Sequence, residues 1–195
     1  MTGPSRDELL AARETVAHIA RVTPVESSHY LAQVRGSPVL WKCESLQRTG
    51  AYKLRGAYNR LSKLTPEERA RGVVAASAGN HAQGVSFAAR ELGIAATIFM
   101  PIGVALPKLE ATRAYGAEVV LTGTNFGETL EAAKAFAAES GAVFIPPYDH
   151  PDIIAGQGTA GLELMEQARE LGAGRYALAV HQRLEHLAGL GPLPL

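Results

Sequence analysis

The chain has 195 residues, 47% of them apolar, which is enough to bury one core or one core plus part of a second. Its 19 Lys and Arg residues balance its 19 Asp and Glu residues. No net charge therefore attracts a nucleic-acid backbone or an anionic membrane surface, and we expect neither as a partner. The single cysteine, Cys43, cannot form an internal disulfide and fits a reducing, cytoplasmic compartment. We expect no signal peptide and no membrane span.

The N-terminal part is predicted to form a helix, a strand and a second helix. Asp7 is expected to cap an amphipathic helix that ends before Thr23 and Pro24. Residues 38–43 are predicted to form a strand, because apolar residues dominate this short run. A polar turn then leads to the next helix, and Lys53 lies where that helix begins.

From residue 73 onward, apolar runs alternate with helical patterns. Strands are predicted at 73–76, 96–100, 119–121 and 143–145, and helices at about 82–92, 106–115, 127–139 and 153–171. Gly93, Gly116 and Gly141 each follow a predicted helix, where a left-handed residue is common. This alternation predicts an α/β fold with three layers, in which helices cover both faces of a parallel sheet. Ligands of such sheets bind beyond the carboxyl ends of the strands.

Lys53 is the first candidate for chemistry, within the run Gly-Ala-Tyr-Lys-Leu-Arg-Gly-Ala that spans residues 50–57. The helix macrodipole disfavours a cation at this position, and Arg55 adds a like charge. Both effects favour the neutral, nucleophilic amine that a lysine bonded to an aldehyde cofactor needs. The alternative is an ordinary lysine that extends to solvent from an amphipathic helix.

A second candidate is the loop of Ser77, Ala78, Gly79 and Asn80, which follows a predicted strand and opens a helix. Free backbone N–H groups at a helix start can bind a carboxylate or a phosphate. Gly79 would allow a ligand to approach closely, and Asn80 offers a side-chain donor. Taken alone, the pattern is also compatible with an ordinary helix start.

Together the two runs resemble the lysine motif and the asparagine loop of the fold-type II pyridoxal-phosphate enzymes, in particular the threonine and serine dehydratases. In that family an aromatic residue precedes the cofactor lysine and Arg-Gly-Ala follows it. The resemblance implies that pyridoxal 5'-phosphate is the cofactor and that Lys53 bonds it. It also implies that Tyr52 packs against the cofactor ring and that Asn80 donates to its phenolic oxygen, while the loop of residues 77–80 holds the substrate carboxylate.

By the same resemblance, the expected reaction converts L-threonine to 2-oxobutanoate and ammonia, with L-serine as a second substrate. This reaction belongs to amino-acid metabolism, and the resemblance implies a role for it in isoleucine biosynthesis. Serine racemases of the family carry a catalytic serine at the position of Ala78, and an alanine cannot exchange a proton there. Dehydration is therefore favoured over racemisation. Whether the chain forms a homo-oligomer is left open.

Two other patterns suggest sites that we do not favour. His81 is expected to pack beside the helix start without a catalytic role, and the histidines and Cys43 lack the spacing of a zinc site. The run from Gly156 to Gly161 spells the dinucleotide-binding pattern, but it does not follow its strand directly, because residues 148–152 intervene. Close helix packing explains it better.

The resemblance covers about residues 7–171 and implies a division into domains. Residues 1–52 would form the N-terminal part of the large domain, 53–158 the complete small domain, and 159–195 the start of the C-terminal part of the large domain with an atypical tail. The family's glycine loop for the cofactor phosphate, and its hydroxyl residue facing the pyridine nitrogen, have no counterpart in residues 172–195. We therefore expect a chain truncated after about residue 171, with a shifted reading frame, a truncation and a genuine shortened relative as the open explanations. An inactive fragment, a serine racemase and a nucleotide-binding domain are the alternatives.

Overall fold

The computed structural model describes residues 3–172. The helices within this range are α1 (Arg6–Val16), α2 (His29–Arg35), α3 (Lys53–Ser62), α4 (Pro66–Arg71), α5 (Asn80–Leu92), α6 (Leu106–Ala114), α7 (Phe126–Ser140) and α8 (Pro151–Glu170). The strands are β1 (Val25–Ser27), β2 (Leu40–Lys42), β3 (Val73–Ala76), β4 (Ala96–Met100), β5 (Glu118–Leu121) and β6 (Val143–Phe144). The predicted tail is residues 172–195, and residues 173–195 of it lie outside the described residues.

Four of the strands form a parallel sheet in the order β5-β4-β3-β6. Successive side chains of a strand point to opposite faces, so alternate residues of β3 pack into the hydrophobic cores on opposite faces of the sheet. Val73 and Ala75 pack with α5, whereas Val74 and Ala76 pack with Phe99 of β4 and with α7. Helices thus cover both faces of the sheet, and the predicted three-layer α/β fold is confirmed.

β1 and β2 pair antiparallel in a separate, two-stranded sheet. The predicted strand 38–43 is therefore shorter than expected and belongs to a different sheet from β3. None of the helices among residues 3–172 is both long enough and apolar enough to cross a bilayer.

The start of the first helix corrects one prediction. Ser5, not Asp7, caps α1, because the Ser5 hydroxyl accepts from the Glu8 N–H and the Glu8 carboxylate accepts from the Ser5 N–H. This reciprocal pair satisfies two N–H groups that the helix leaves open. Asp7 lies in the first turn, where its charge favours the helix dipole.

α3 and α8 pack closely at the glycine run. A Cβ placed on Gly156 would lie 2.6 Å from Cα of Gly56 and 2.7 Å from the carbonyl oxygen of Arg55. The glycines therefore allow two helix backbones to touch, inside one continuous helix α8. The prediction that this run serves helix packing is confirmed.

Candidate active site

The amine of Lys53 is buried between the start of α3 and the segment that follows β6. Lys53 is 7% exposed, and its Nζ donates to the carbonyl oxygen of Pro147 at 3.0 Å. Nζ also lies 4.3 Å from the ring centroid of Tyr148 and 5.5 Å from that of Tyr52. The amine thus sits among aromatic rings at the carboxyl end of an edge strand, where ligands of parallel sheets bind.

Burial lowers the pKa of Lys53 below its ordinary value. The direction matches the expectation from the sequence, but the assigned contribution of Arg55 is wrong. The Arg55 guanidinium is fully buried and lies between the carboxylates of Glu44 and Glu163, which compensate its charge. Desolvation of the ammonium is therefore the physical cause.

The buried guanidinium of Arg55 joins three parts of the chain. Glu44 accepts from Nε and Nη2 at 2.9 Å each, and Glu163 of α8 accepts from Nη1 at 2.7 Å and from Nη2 at 2.9 Å. Lys42 of β2 donates to the same Glu163 at 2.8 Å. Burial alone would raise the pKa of Glu163, but the hydrogen bonds from Arg55 and Lys42 lower it. This network ties β2 and α8 to the first turn of α3, two residues after Lys53.

The loop of residues 77–80 begins where β3 ends. The Ser77 N–H continues the sheet by donating to the carbonyl of Phe99 at 3.0 Å, and the Ser77 hydroxyl accepts from the Gly79 N–H at 3.2 Å. Ser77, Ala78 and Gly79 are half-buried, and Asn80 is the exposed first residue of α5. Apart from Gly79 and its two chain neighbours, none of the described residues has an atom within 4 Å of a Cβ placed on Gly79, so the backbone is open to a ligand there.

Gly84 brings this loop and Lys53 to the same region. A Cβ on Gly84 would lie 3.0 Å from the carbonyl carbon of Lys53 and 3.1 Å from the Leu54 nitrogen. The backbone of α5 therefore touches α3 at Lys53, little more than one helical turn after Asn80. The structure brings together the two runs that the sequence suggested separately.

His81 follows Asn80 and is almost completely buried, at 4% exposure. Its Nε2 lies 3.1 Å from the carbonyl oxygen of Ile145. Burial lowers the pKa of His81 to about 4, so the imidazole is neutral at physiological pH. Among residues 3–172 there is no group of three or more potential metal ligands.

Sequence reasoning missed Pro147, Tyr148, Gly84 and Glu163 as neighbours of the candidate site. The first two were within reach, because the run Pro-Pro-Tyr-Asp directly follows a predicted strand, where parallel sheets place their ligand-binding loops. Gly84 and Glu163 gave no such signal, since their roles arise from the packing of α5 and α8 against α3.

The chain is similar to enzymes whose names refer to threonine and serine. It is 49% identical over 160 residues to the L-threonine ammonia-lyase of Thermotoga maritima, covering 82% of this chain and 40% of the relative. Among solved structures, a threonine deaminase from T.th. is 43% identical with a TM-score of 0.79, over 88% of this chain and 54% of that one. Maize serine racemase is 36% identical with a TM-score of 0.82, over 87% and 51% respectively.

The chain spans only about half the length of these relatives. It nonetheless matches a family model over most of its own length, at residues 16–182, and the description of that model is "Pyridoxal-phosphate dependent enzyme". The match confirms the fold-type and the cofactor class named from the sequence. The chain belongs to the family of pyridoxal-phosphate dependent enzymes.

Proposed function

We propose that the chain is the lysine-bearing part of an L-threonine ammonia-lyase, which converts L-threonine to 2-oxobutanoate and ammonia. The observation that carries the proposal is the buried amine of Lys53, with its lowered pKa, in the same region as the open loop of residues 77–80. The similarity to a threonine ammonia-lyase and a threonine deaminase supports this substrate. We propose L-serine as a second substrate, because it carries the same β-hydroxyl.

The residues present fit pyridoxal phosphate. Only a neutral amine can bond to the aldehyde of the cofactor, and burial of Lys53 favours the neutral state. Tyr52 and Tyr148 place aromatic rings beside the amine, and the backbone at Gly79 leaves room for a ligand. When bound, the cofactor supplies an electron sink for the substrate α-carbon.

The chain's own residues would orient the substrate and move its α-proton. The N–H groups in the first turn of α5, together with the loop of residues 77–80, would bind the substrate carboxylate. Nζ of Lys53 would hold the cofactor aldehyde, and as a free, neutral amine it would take the substrate α-proton as a general base. Its lowered pKa keeps a larger neutral fraction of the amine available near neutral pH. Asn80 would donate to the phenolic oxygen of the cofactor.

Racemisation is a second candidate, since maize serine racemase is also similar to the chain. A racemase needs a second group that returns the proton from the opposite face. The loop carries Ala78 at the position where serine racemases of the family have a serine, and the methyl group of alanine has no exchangeable proton. We therefore propose elimination as the main reaction.

We also propose the division expected from the sequence, with residues 1–52 and 159–195 in a large domain and 53–158 in a small domain. A reducing, cytoplasmic location and a homo-oligomer are part of the same proposal. So is a role in isoleucine biosynthesis or in threonine breakdown. The alternative, an inactive fragment that keeps the fold, makes a different experimental prediction.

The test combines the full chain with pyridoxal phosphate and L-threonine and measures 2-oxobutanoate. Lys53→Ala should lower turnover about 10³-fold or more, because it removes both the cofactor bond and the base. Lys63→Ala is the matched control, since Lys63 lies at the other end of α3 and pairs with Asp152 on the surface. Bound cofactor without turnover would favour the inactive fragment. If neither bound cofactor nor turnover is detected, but a dinucleotide protects the chain from unfolding, the nucleotide-binding domain would be favoured.

A further inference from the structure

Among the described residues, the His81 side chain makes one hydrogen bond, and its partner is Ile145, the residue directly after β6. The acceptor is the carbonyl oxygen of Ile145, 3.1 Å from Nε2, so Nε2 must carry the proton. Nδ1 is buried and has no hydrogen-bond partner among the described residues. The neutral ring with its proton on Nε2 donates to the Ile145 carbonyl. A charged ring would also donate, but it would place a positive charge near the Lys53 amine. In the part of the chain that the structure describes, the titratable group that acts on His81 is the Lys53 amine.

The segment after Ile145 has few other anchors. The Ile145 N–H donates to the carbonyl of Val74 at 2.8 Å, which is the last sheet hydrogen bond of this strand. Pro146 and Pro147 follow, and neither has an N–H to continue the sheet. The carbonyl of Pro147 then accepts from Lys53. The Ile145 carbonyl is thus the last fixed point before the groups that contact the amine.

We propose that His81 is a positioning residue for Lys53: its Nε2–H fixes the Ile145 carbonyl, and with it the segment that holds the Pro147 carbonyl and the Tyr148 ring against the amine. The inference deepens the proposed function, because it rests on Lys53 as the reactive group. His81 touches neither substrate nor cofactor in this account. Its effect reaches the amine only through residues 145–148.

The surroundings of the Lys53 amine can be probed in the cofactor-free chain through the rate at which the amine reacts. Full-length protein is stripped with hydroxylamine, and the rate at which an amine acylating reagent labels Lys53 is followed by peptide mass spectrometry between pH 6 and 11. In His81→Ala, the segment should loosen and the amine should become more hydrated, so its pKa should rise. Labelling of Lys53 near neutral pH should then be roughly three- to tenfold slower, because the neutral fraction falls tenfold per pKa unit.

Two further variants separate positioning from loss of packing. His81→Gln keeps an N–H donor and should restore part of the labelling rate. Ser86→Ala is the matched control, since Ser86 is buried on the same helix and, within residues 3–172, its hydroxyl bonds only to the carbonyl of Ala82. An unchanged Lys53 profile in folded His81→Ala, or an equal change in Ser86→Ala, would overturn the proposal.

A measurement on the unaltered chain covers the case in which His81→Ala does not fold. Long-range ¹H–¹⁵N spectra of ¹⁵N-histidine protein should show His81 neutral at pH 7 with its proton on Nε2. A proton on Nδ1, or a charged ring, would contradict the proposed hydrogen bond. Because the cofactor is absent from both experiments, their outcome is independent of whether the chain turns over threonine.

Discussion

Lys53 differs from the surface lysines of the chain in its surroundings. The side chains of Lys63 and Lys134 are 44% and 51% exposed, whereas Lys53 is 7% exposed and bonded to a backbone carbonyl. Water therefore stabilises the ammonium of the surface residues but much less that of Lys53. The lowered pKa of Lys53 follows from this burial and not from the like charge of Arg55.

Asn80 gives the prediction at the scale of a residue. Asn80→Ala removes the donor proposed for the phenolic oxygen of the cofactor, and loss of one such hydrogen bond costs about 1–2 kcal/mol. The amount of cofactor that borohydride fixes to Lys53 at limiting pyridoxal phosphate should fall, together with threonine turnover. Both are measured on the purified full chain.

Asn125 offers a matched control for this substitution. It stands directly before α7 as Asn80 stands at the start of α5, but its side chain caps α7 by accepting from the Glu128 N–H. Asn125→Ala should lower the free energy of unfolding by about 1 kcal/mol and leave cofactor binding unchanged. If Asn80→Ala behaves in the same way, Asn80 does not belong to the site.

At the scale of secondary-structure elements, the position of α3 depends on α8. Glycines allow the two backbones to touch, and the network of Arg55 and Glu163 fixes the first turn of α3 against α8. α5 contacts the same turn from another side through Gly84. Lys53 is therefore held by the packing of its helix as well as by its own contacts.

Two glycines of α8 test this packing. Gly156→Ala places a methyl group 2.6 Å from Cα of Gly56 and 2.7 Å from the Arg55 carbonyl, where only a shift of the backbone makes room. We expect it to lower the free energy of unfolding in urea by about 1–3 kcal/mol. Gly158→Ala meets only the end of the Leu9 side chain, at 2.5 Å, which can move, so it should be close to neutral. Equal effects of the two changes would contradict the account.

Glu163 predicts how stability depends on pH. Its pKa is lowered in the folded chain, so it stabilises the fold above its ordinary pKa of 4.5 and loses that contribution as pH falls through the lower folded value. Glu163→Gln leaves Arg55 and Lys42 with uncompensated charge and should cost about 3 kcal/mol at pH 7. The difference from the unaltered chain should shrink below pH 4.5 when unfolding is measured in urea.

A surface carboxylate serves as the control for this pH profile. Glu131 pairs with Lys134 within α7, and its side chain is 73% exposed. Glu131→Gln should leave the free energy of unfolding and its pH profile unchanged, because exposed pairs contribute little. A difference for Glu163→Gln that stays constant down to about pH 3 would show that the carboxylate charge is not the cause.

At the scale of the whole molecule, the alternation of strands and helices from residue 73 onward was predictable because each element buries a periodic apolar face. The short elements were harder. α2 has no buried residue, and β1 is a three-residue strand that is only partly covered, so neither leaves an apolar pattern. α4 also buries nothing, but Thr65, Pro66 and Glu68 form a helix-start signal that could have been used.

The candidate site was predictable only in part for the same reason. Lys53 and the loop of residues 77–80 carry local signals, namely a charged residue at a helix start and a glycine between a strand and a helix. Pro147 and Tyr148 reach the amine because β6 pairs beside β3, and the bond from Lys53 to Pro147 spans 94 residues of sequence. Such contacts are set by the sheet order and not by any local pattern.

Hydride trapping of the cofactor on the full chain shows directly whether Lys53 is the cofactor lysine. The protein is saturated with pyridoxal phosphate, reduced with borohydride and digested, and the modified peptide is sequenced by mass spectrometry. We expect a single phosphopyridoxyl group on Nζ of Lys53, which disappears in Lys53→Ala and persists in Lys63→Ala. A label on another lysine, or no label at saturating cofactor, would contradict this expectation.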